Sequence, residues 1–233
     1  MNEIRAVAPE QIRAATAIHD RFMPGWRSSD ETLELLAGSF PRMDLASVIA
    51  KACAVNYLYN TKCPEVIEVA QAIVAGLVAS DGREVSLDEA LELAAAVAPV
   101  TDQVTGKTTY YWSFASKFLH WFVSDAAPMY DGWASKAVAS HVGPIKWGGP
   151  PDYYPRFVAA IGRLQEASGL TCTARELDRF LWLWGMYDAW LGPEGKDKAR
   201  ISQEARHLFK DARGEVRATL GALMGTPEGA GGV

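Results

Sequence analysis

One lysine lies in the middle of an apolar segment, and this setting could give it chemistry. Residues 110–123 read YYWSFASKFLHWFV, which predicts a buried or half-buried helix with Lys117 at its centre. The lysine could snorkel, with its stem along apolar neighbours and its amine in water. Alternatively, it stays partly desolvated, which favours the neutral amine that a Schiff-base nucleophile needs. The segment alone leaves both interpretations open.

A carboxylate follows this segment at the expected start of the next helix. Pro128 should end the preceding helix, and Asp131 stands just before a helical pattern that includes Ala134 and Val138. Asp131 is therefore predicted to be an N-cap, which accepts hydrogen bonds from free backbone N–H groups. A carboxylate at a helix N-terminus is held ionised and fixed in place. Asp131 could then also stabilise positive charge on a neighbouring group.

The elements that must position these two residues are predicted to be helices in two layers, with Lys117 near a groove between them. Apolar residues recur at helical spacing, and no stretch alternates as a half-buried strand would. Three capping-box patterns, each an S/T-x-x-E, mark expected helix starts. They are Ser28 with Glu31, Ser86 with Glu89, and Thr173 with Glu176. The expected helices cover 9–22, the residues after Ser28, 43–59, 64–79, 86–98, 110–123, the residues after Asp131, 173–190 and 201–224.

The remaining segments are expected to be irregular. Residues 143–155 are rich in Gly and Pro, which predicts a long ordered loop or a hinge. Gly106-Lys107-Thr108 does not complete a phosphate-binding loop, because the glycine required five positions earlier is Thr101, so these residues predict a turn. We expect one α-helical domain over 1–224 and a frayed tail over 225–233.

Composition limits the partners and the compartment. No apolar run approaches the roughly 20 residues that cross a bilayer, and the first residues lack a signal-peptide pattern, so we expect a cytoplasmic monomer without membrane contact. The three cysteines form no metal-ligand spacing with the four histidines, so we expect neither metal nor cofactor, and we expect Cys53 and Cys172 to be buried thiols. The formal net charge of -5 disfavours a nucleic-acid partner, although residues 196–217 carry seven basic and four acidic residues.

Two short stretches resemble a known protein family. Phe114-Ala115-Ser116-Lys117-Phe118-Leu119, followed by Pro128-Met129-Tyr130-Asp131, is similar to the centre of the helix-hairpin-helix DNA glycosylases. The similarity points to a bacterial member of the 8-oxoguanine glycosylase branch, with weaker matches at 55–61 and 175–182. The usual hairpin glycines before the lysine are absent, since Trp112, Ser113 and Phe114 occupy those positions. The resemblance therefore leaves open how DNA phosphates would be gripped.

The resemblance implies a DNA glycosylase whose partner is DNA with a flipped, modified base. Lys117 would attack the sugar, Asp131 would stabilise the developing positive charge, and the Schiff base could allow strand cleavage at the abasic site. Five residues would contact the base or line its pocket, with core packing or local backbone bonding as the alternative for each. They are Asn56, Trp121, Tyr130, Trp133 and Asp178.

Three functional hypotheses remain open from the sequence. The first is excision of oxidised guanine, following the family. The second is a defence glycosylase that acts on modified phage bases. The third is a helical DNA-binding or partner-binding module without catalysis. It is favoured by the missing hairpin glycines and by the acidic first part of the chain, since residues 1–100 carry eight Lys/Arg and fourteen Asp/Glu.

Overall fold

The computed structural model describes residues 4–78, 85–102, 104–193, 195–210 and 212–225. Within those residues the protein is mostly helical, with twelve α-helices, one 3-10 turn and one two-stranded hairpin, so the all-α prediction is confirmed at the level of fold class. The helices are α1 Pro9–Phe22, α2 Pro24–Ser39, α3 Leu45–Leu58, α4 Val66–Val78, α5 Leu87–Val97, α6 Trp112–Phe122, α7 Gly132–Val142, α8 Tyr153–Ser168, α9 Ala174–Leu191, α10 Lys196–Arg200, α11 Gln203–Lys210 and α12 Gly214–Met224. Strands β1 Pro99–Thr101 and β2 Thr108–Tyr110 pair antiparallel, with Val100 opposite Thr109.

The described residues group into two compact units. Unit 1 draws on three segments of the chain, Met1–Ser28, Asp131–Ile145 and Phe157–Val233. Unit 2 draws on Ser29–Tyr130 and Lys146–Arg156. A single domain can contain two such lobes, so one domain over 1–224 stays a prediction.

Unit 1 is built around α9, against which α1 and α7 pack. Ile12 and Ile18 of α1 and Leu220 of α12 are buried, as their helical spacing predicts. The Gln11 side-chain amide donates to the carbonyl oxygen of Leu223 at 2.9 Å, which fixes α1 to α12. Helices α7 and α9 approach closely, because a methyl group on Gly185 would lie only 2.6 Å from a backbone oxygen of α7.

Unit 2 holds α6 at its centre. Nine of the eleven residues of this helix are buried, which explains why its sequence is apolar on nearly every face. Helices α3 and α5 pack against it, and α4 packs on both of them. The hairpin precedes α6 directly, and the backbone N–H of Tyr111 donates to the carbonyl oxygen of Ala98 at 2.8 Å at its base.

Two of the three predicted capping boxes are confirmed. Ser86 caps α5 and Thr173 caps α9, and in each case the glutamate three residues later bonds back to the cap backbone N–H. The prediction at Ser28 is wrong, because α2 begins at Pro24 and Ser28 lies inside it. Proline fits the first turn of a helix, where its missing N–H is not needed.

Four further predictions need correction. The expected helix over 201–224 is divided into α11 and α12, with Gly214 at a φ of 50°. The expected loop over 143–155 ends earlier, in a 3-10 turn at Pro150–Asp152. The predicted turn at Gly106–Thr108 lies in a hairpin in which Thr108 already belongs to β2, and period-2 patterning did not reveal strands only three residues long. Cys53 is exposed and Cys172 is half-buried, whereas Cys63 is buried.

The predicted tail, 225–233, lies outside the described residues except for Gly225, which ends α12 in a left-handed conformation. A search of the described helices found none that combines the length and the hydropathy needed to cross a membrane.

Candidate active site around Lys117

Lys117 is buried inside unit 2, at 3% exposure. Its amine donates to Ser113 Oγ at 3.0 Å, one turn earlier on α6, and to the carbonyl oxygen of Tyr130 at 3.0 Å. The amine also lies 5.4 Å from the centroid of the Tyr59 ring, within the range of a cation–π contact. These contacts and the burial of the side chain argue against snorkelling, since acceptors of the protein hold the amine in place of water.

The Tyr59 ring beside the amine belongs to a chain of hydrogen bonds. The indole N–H of Trp121 donates to the Tyr59 hydroxyl at 3.0 Å, and the hydroxyl lies 3.2 Å from Asp30 Oδ1. Because an ionised carboxylate only accepts, Tyr59 is the donor to Asp30. Asp30 and Trp121 are each 7% exposed.

The loop before Asp131 is anchored to unit 2 by side chains. Ser116 Oγ accepts from the backbone N–H of Tyr130 at 2.9 Å, and His120 Nδ1 lies 2.9 Å from the carbonyl oxygen of Ala127. The Tyr154 hydroxyl donates to the carbonyl oxygen of Pro128 at 2.8 Å, and burial raises the pKa of Tyr154 far above its usual value. The backbone that leads to Asp131 is therefore held by side chains at Ala127, Pro128 and Tyr130.

Asp131 caps α7 in unit 1, as predicted. Its Oδ1 accepts from the backbone N–H groups of Trp133 and Ala134, both at 2.8 Å. This geometry holds the carboxylate at the positive end of the helix dipole. Lys117 belongs to unit 2 and Asp131 to unit 1, and their facing a common cavity stays a prediction.

Asn56 and Trp121, the candidates in helices α3 and α6, have local structural partners. Asn56 Oδ1 accepts from Thr61 Oγ1 at 2.7 Å and from the backbone N–H of Cys63 at 2.9 Å, while its Nδ2 donates to the Cys63 carbonyl. Asn56 thus satisfies the backbone of a turn in which Asn60 and Lys62 have positive φ. The contacts of Asn56 and Trp121 favour the structural alternative for both.

The other candidate residues are partly exposed. The Tyr130 ring meets Tyr154 edge-on at 6.5 Å between centroids, and Lys136 Nζ lies 5.3 Å from the Trp133 ring centroid. Asp178 is half-buried on α9. Asn56, Lys117, Trp121 and Tyr130 lie in unit 2, whereas Asp131, Trp133 and Asp178 lie in unit 1.

A separate cavity in unit 2, of about 370 Å³, lies among α4, α5 and the hairpin. Its lining includes the carboxylates of Glu65, Glu68 and Asp102 beside apolar residues, and it includes none of the predicted site residues. Three carboxylates suit a polyanion such as DNA poorly. This cavity therefore does not supply the predicted base pocket.

Sequence reasoning missed Asp30, Tyr59, Ser113 and Ser116. A signal existed for Ser113, because positions 113, 117 and 121 are four residues apart and therefore share one face of α6. Tyr59 lies in the weak family match at 55–61, which gave it no role, and no signal pointed to Asp30, since tertiary packing brings both to α6.

One comparison with known proteins gave a match. The family model HI_0787_N, described as an N-terminal domain, matches residues 11–126. The chain is similar to that family over α1 to α6, a region that contains Lys117 and ends before Asp131. Searches of curated proteins and of solved structures found no match to this chain.

Proposed function

We propose that the protein is a DNA glycosylase of helix-hairpin-helix type that excises an oxidised or otherwise modified base. Lys117 is the nucleophile, and Asp131 stabilises the positive charge that develops on the sugar. The observation that carries the proposal is the setting of the Lys117 amine, which is buried and bonded at 3.0 Å to the carbonyl of Tyr130. Asp131 is the next residue in the chain, so the anchor of the amine is joined covalently to the proposed partner.

The reaction needs only groups of this chain, the DNA and water. The neutral amine attacks C1′ of the flipped nucleotide, and the C1′–N bond breaks with its electron pair leaving on the base, which takes up a proton. The sugar ring opens to give a Schiff base between C1′ and Lys117. Water hydrolyses this intermediate to an abasic site, or β-elimination cleaves the strand first.

Borohydride reduction with abasic DNA tests the nucleophile. The parent protein should give a covalent adduct that maps to Lys117, and Lys117→Gln should give none while keeping most of its DNA affinity. Lys51→Gln is the matched control, because Lys51 is also buried in unit 2 with its amine 5.1 Å from an aromatic ring, that of Phe122. An adduct that persists in Lys117→Gln would overturn the assignment of Lys117.

A binding module without catalysis is the second candidate. The contacts of the Lys117 amine also favour this candidate. A hydroxyl, a carbonyl oxygen and a ring face are the partners that a buried lysine with a purely structural role would have. This candidate predicts DNA binding without an adduct and without release of free base.

A panel of duplexes identifies the base. Each duplex carries one modified base, including oxidised guanine and the hypermodified bases found in phage DNA, and free base is measured after single-turnover incubation. Release from the oxidised duplex alone favours repair, whereas release from the phage-type duplexes alone favours defence.

A further inference from the structure

The Tyr59 ring is placed to hold the Lys117 amine against α6. Tyr59 follows the last residue of α3 as its C-cap, and its ring centroid lies 5.4 Å from the amine nitrogen. Ser113 Oγ and the carbonyl oxygen of Tyr130 hold the same nitrogen at 3.0 Å each. The position of the amine is thus defined by contacts from α3, from α6 and from the loop before α7.

The ring itself is fixed at its far end. Its hydroxyl accepts a hydrogen bond from Trp121, one turn after Lys117 on α6, and donates one to the buried Asp30 on α2. Tyr59 is half-buried, and the two partners of its hydroxyl come from two different helices. A change in the χ1 rotamer of Tyr59 would break both hydrogen bonds and move the ring away from the amine.

We propose that Tyr59, held by Asp30 and Trp121, is a positioning residue for the Lys117 amine. The inference rests on the proposed function, in which the amine must meet C1′ in a narrow range of distance and direction. A misplacement of about 1 Å costs a reacting group roughly 100-fold in rate. Tyr59 acts through Lys117 and takes no part in bond making.

The position of the Lys117 amine beside the Tyr59 ring can be tested by NMR spectroscopy, which requires no enzymatic activity. With ¹³C-labelled lysine, the Hε resonances of Lys117 should be shifted upfield by the ring current of Tyr59, and Lys117→Gln assigns them by their loss. Tyr59→Leu should abolish the shift, and Tyr59→Phe should retain most of it. The Lys51 resonances are the internal control, because their shift comes from Phe122 and should not change. An unchanged Lys117 resonance in Tyr59→Leu would overturn the proposal.

A kinetic test asks whether placement matters for attack. At saturating abasic DNA, the rate of adduct formation should fall about 100-fold in Tyr59→Leu, with the Kd for DNA near the parental value. Tyr59→Phe, which loses the hydroxyl but keeps the ring, should be slowed about fivefold. Asp30→Asn keeps an acceptor for the hydroxyl and should stay near the parental rate, whereas Asp30→Leu should match Tyr59→Phe.

The outcomes separate this inference from the proposed function. If the parent gives no adduct while the Lys117 resonances respond to Tyr59→Leu as expected, the proposed function fails and the placement of the amine stands. If the parent gives an adduct and Tyr59→Leu forms it at the parental rate, the nucleophile stands and the positioning role is overturned. Should Tyr59→Leu fail to fold, a parental rate in both Tyr59→Phe and Asp30→Leu overturns the role instead.

Discussion

Replacement of Asp131 by asparagine and by alanine separates its structural role from its proposed catalytic role. Both hydrogen bonds to α7 are accepted by Oδ1, an atom that asparagine also supplies. Asparagine and aspartate cap helices about equally well, so Asp131→Asn should keep the cap and lose the charge–dipole contribution, about 0.3–1 kcal/mol. Asp131→Ala should lose a further 0.5–2 kcal/mol, roughly, with the cap. At about 2–4 °C per kcal/mol for a chain of this length, Asp131→Asn should lower Tm by only a few degrees.

Activity should follow a different order. If the carboxylate stabilises the cationic sugar, both variants lose it equally, and base release should fall about 10²–10³-fold in each. Stability would then decrease from the parent to Asp131→Asn and again to Asp131→Ala. Activity, in contrast, would be high in the parent and equally low in the two variants.

Thermal unfolding by circular dichroism and single-turnover release of free base on a confirmed substrate measure the two orders. The matched control is Ser86→Ala, which removes the cap of α5 and should lower stability without reducing turnover of the folded protein. Base release by Asp131→Asn at the parental rate would refute the reasoning, because the carboxylate would then be a cap alone.

Two further predictions concern packing and thiol chemistry. Gly185→Ala should destabilise the protein by about 1–3 kcal/mol, because its Cβ would lie 2.6 Å from the carbonyl oxygen of Trp133, whereas Gly162→Ala meets nothing within 4 Å and should stabilise a helix by about 0.5–1 kcal/mol. Urea unfolding of both variants checks the pair, and equal midpoints would contradict the close approach of α7 and α9. Burial raises the pKa of the Cys63 thiol to about 11, so little thiolate exists at pH 8, and iodoacetamide should modify the exposed Cys53 much faster than Cys63. Mass spectrometry of timed samples measures this order, and faster labelling of Cys63 would contradict its burial.

The parts of the site that sequence could predict are those that depend on near neighbours in the chain. The capping role of Asp131 involves residues only two and three positions away, so the local pattern was sufficient. The burial of α6 followed from its apolar residues, but those residues left open whether the Lys117 amine snorkels to water or stays inside. In contrast, Tyr59 and Asp30 are separated from Lys117 by 58 and 87 positions, and only the packing of helices brings them together.

The helix boundaries show the same division. Ser86 caps α5 as its pattern predicts, whereas the identical pattern at Ser28 is overridden by Pro24, at which α2 already begins. The break between α11 and α12 had a visible signal in Gly214, yet the apolar spacing over 201–224 continues through it. Hydrophobic periodicity indicates which face of a segment is apolar. It does not reveal a short break in a helix when the apolar residues on both sides keep the same helical spacing.

The route of the chain through the two units affects the order in which they can form during synthesis. Almost all of unit 2 comes from one continuous stretch, Ser29–Tyr130, so its helices emerge from the ribosome together and can pack while translation continues. Helix α1 emerges before them, but its partners α9 and α12 both follow unit 2 in the chain, and Gln11 bonds to a residue 212 positions later. The apolar side of α1, with Ile12 and Ile18, therefore waits until α9 and then α12 have been made. During that interval the apolar side of α1 is exposed and can bind chaperones. A pause in translation before residue 214 would prolong this exposure.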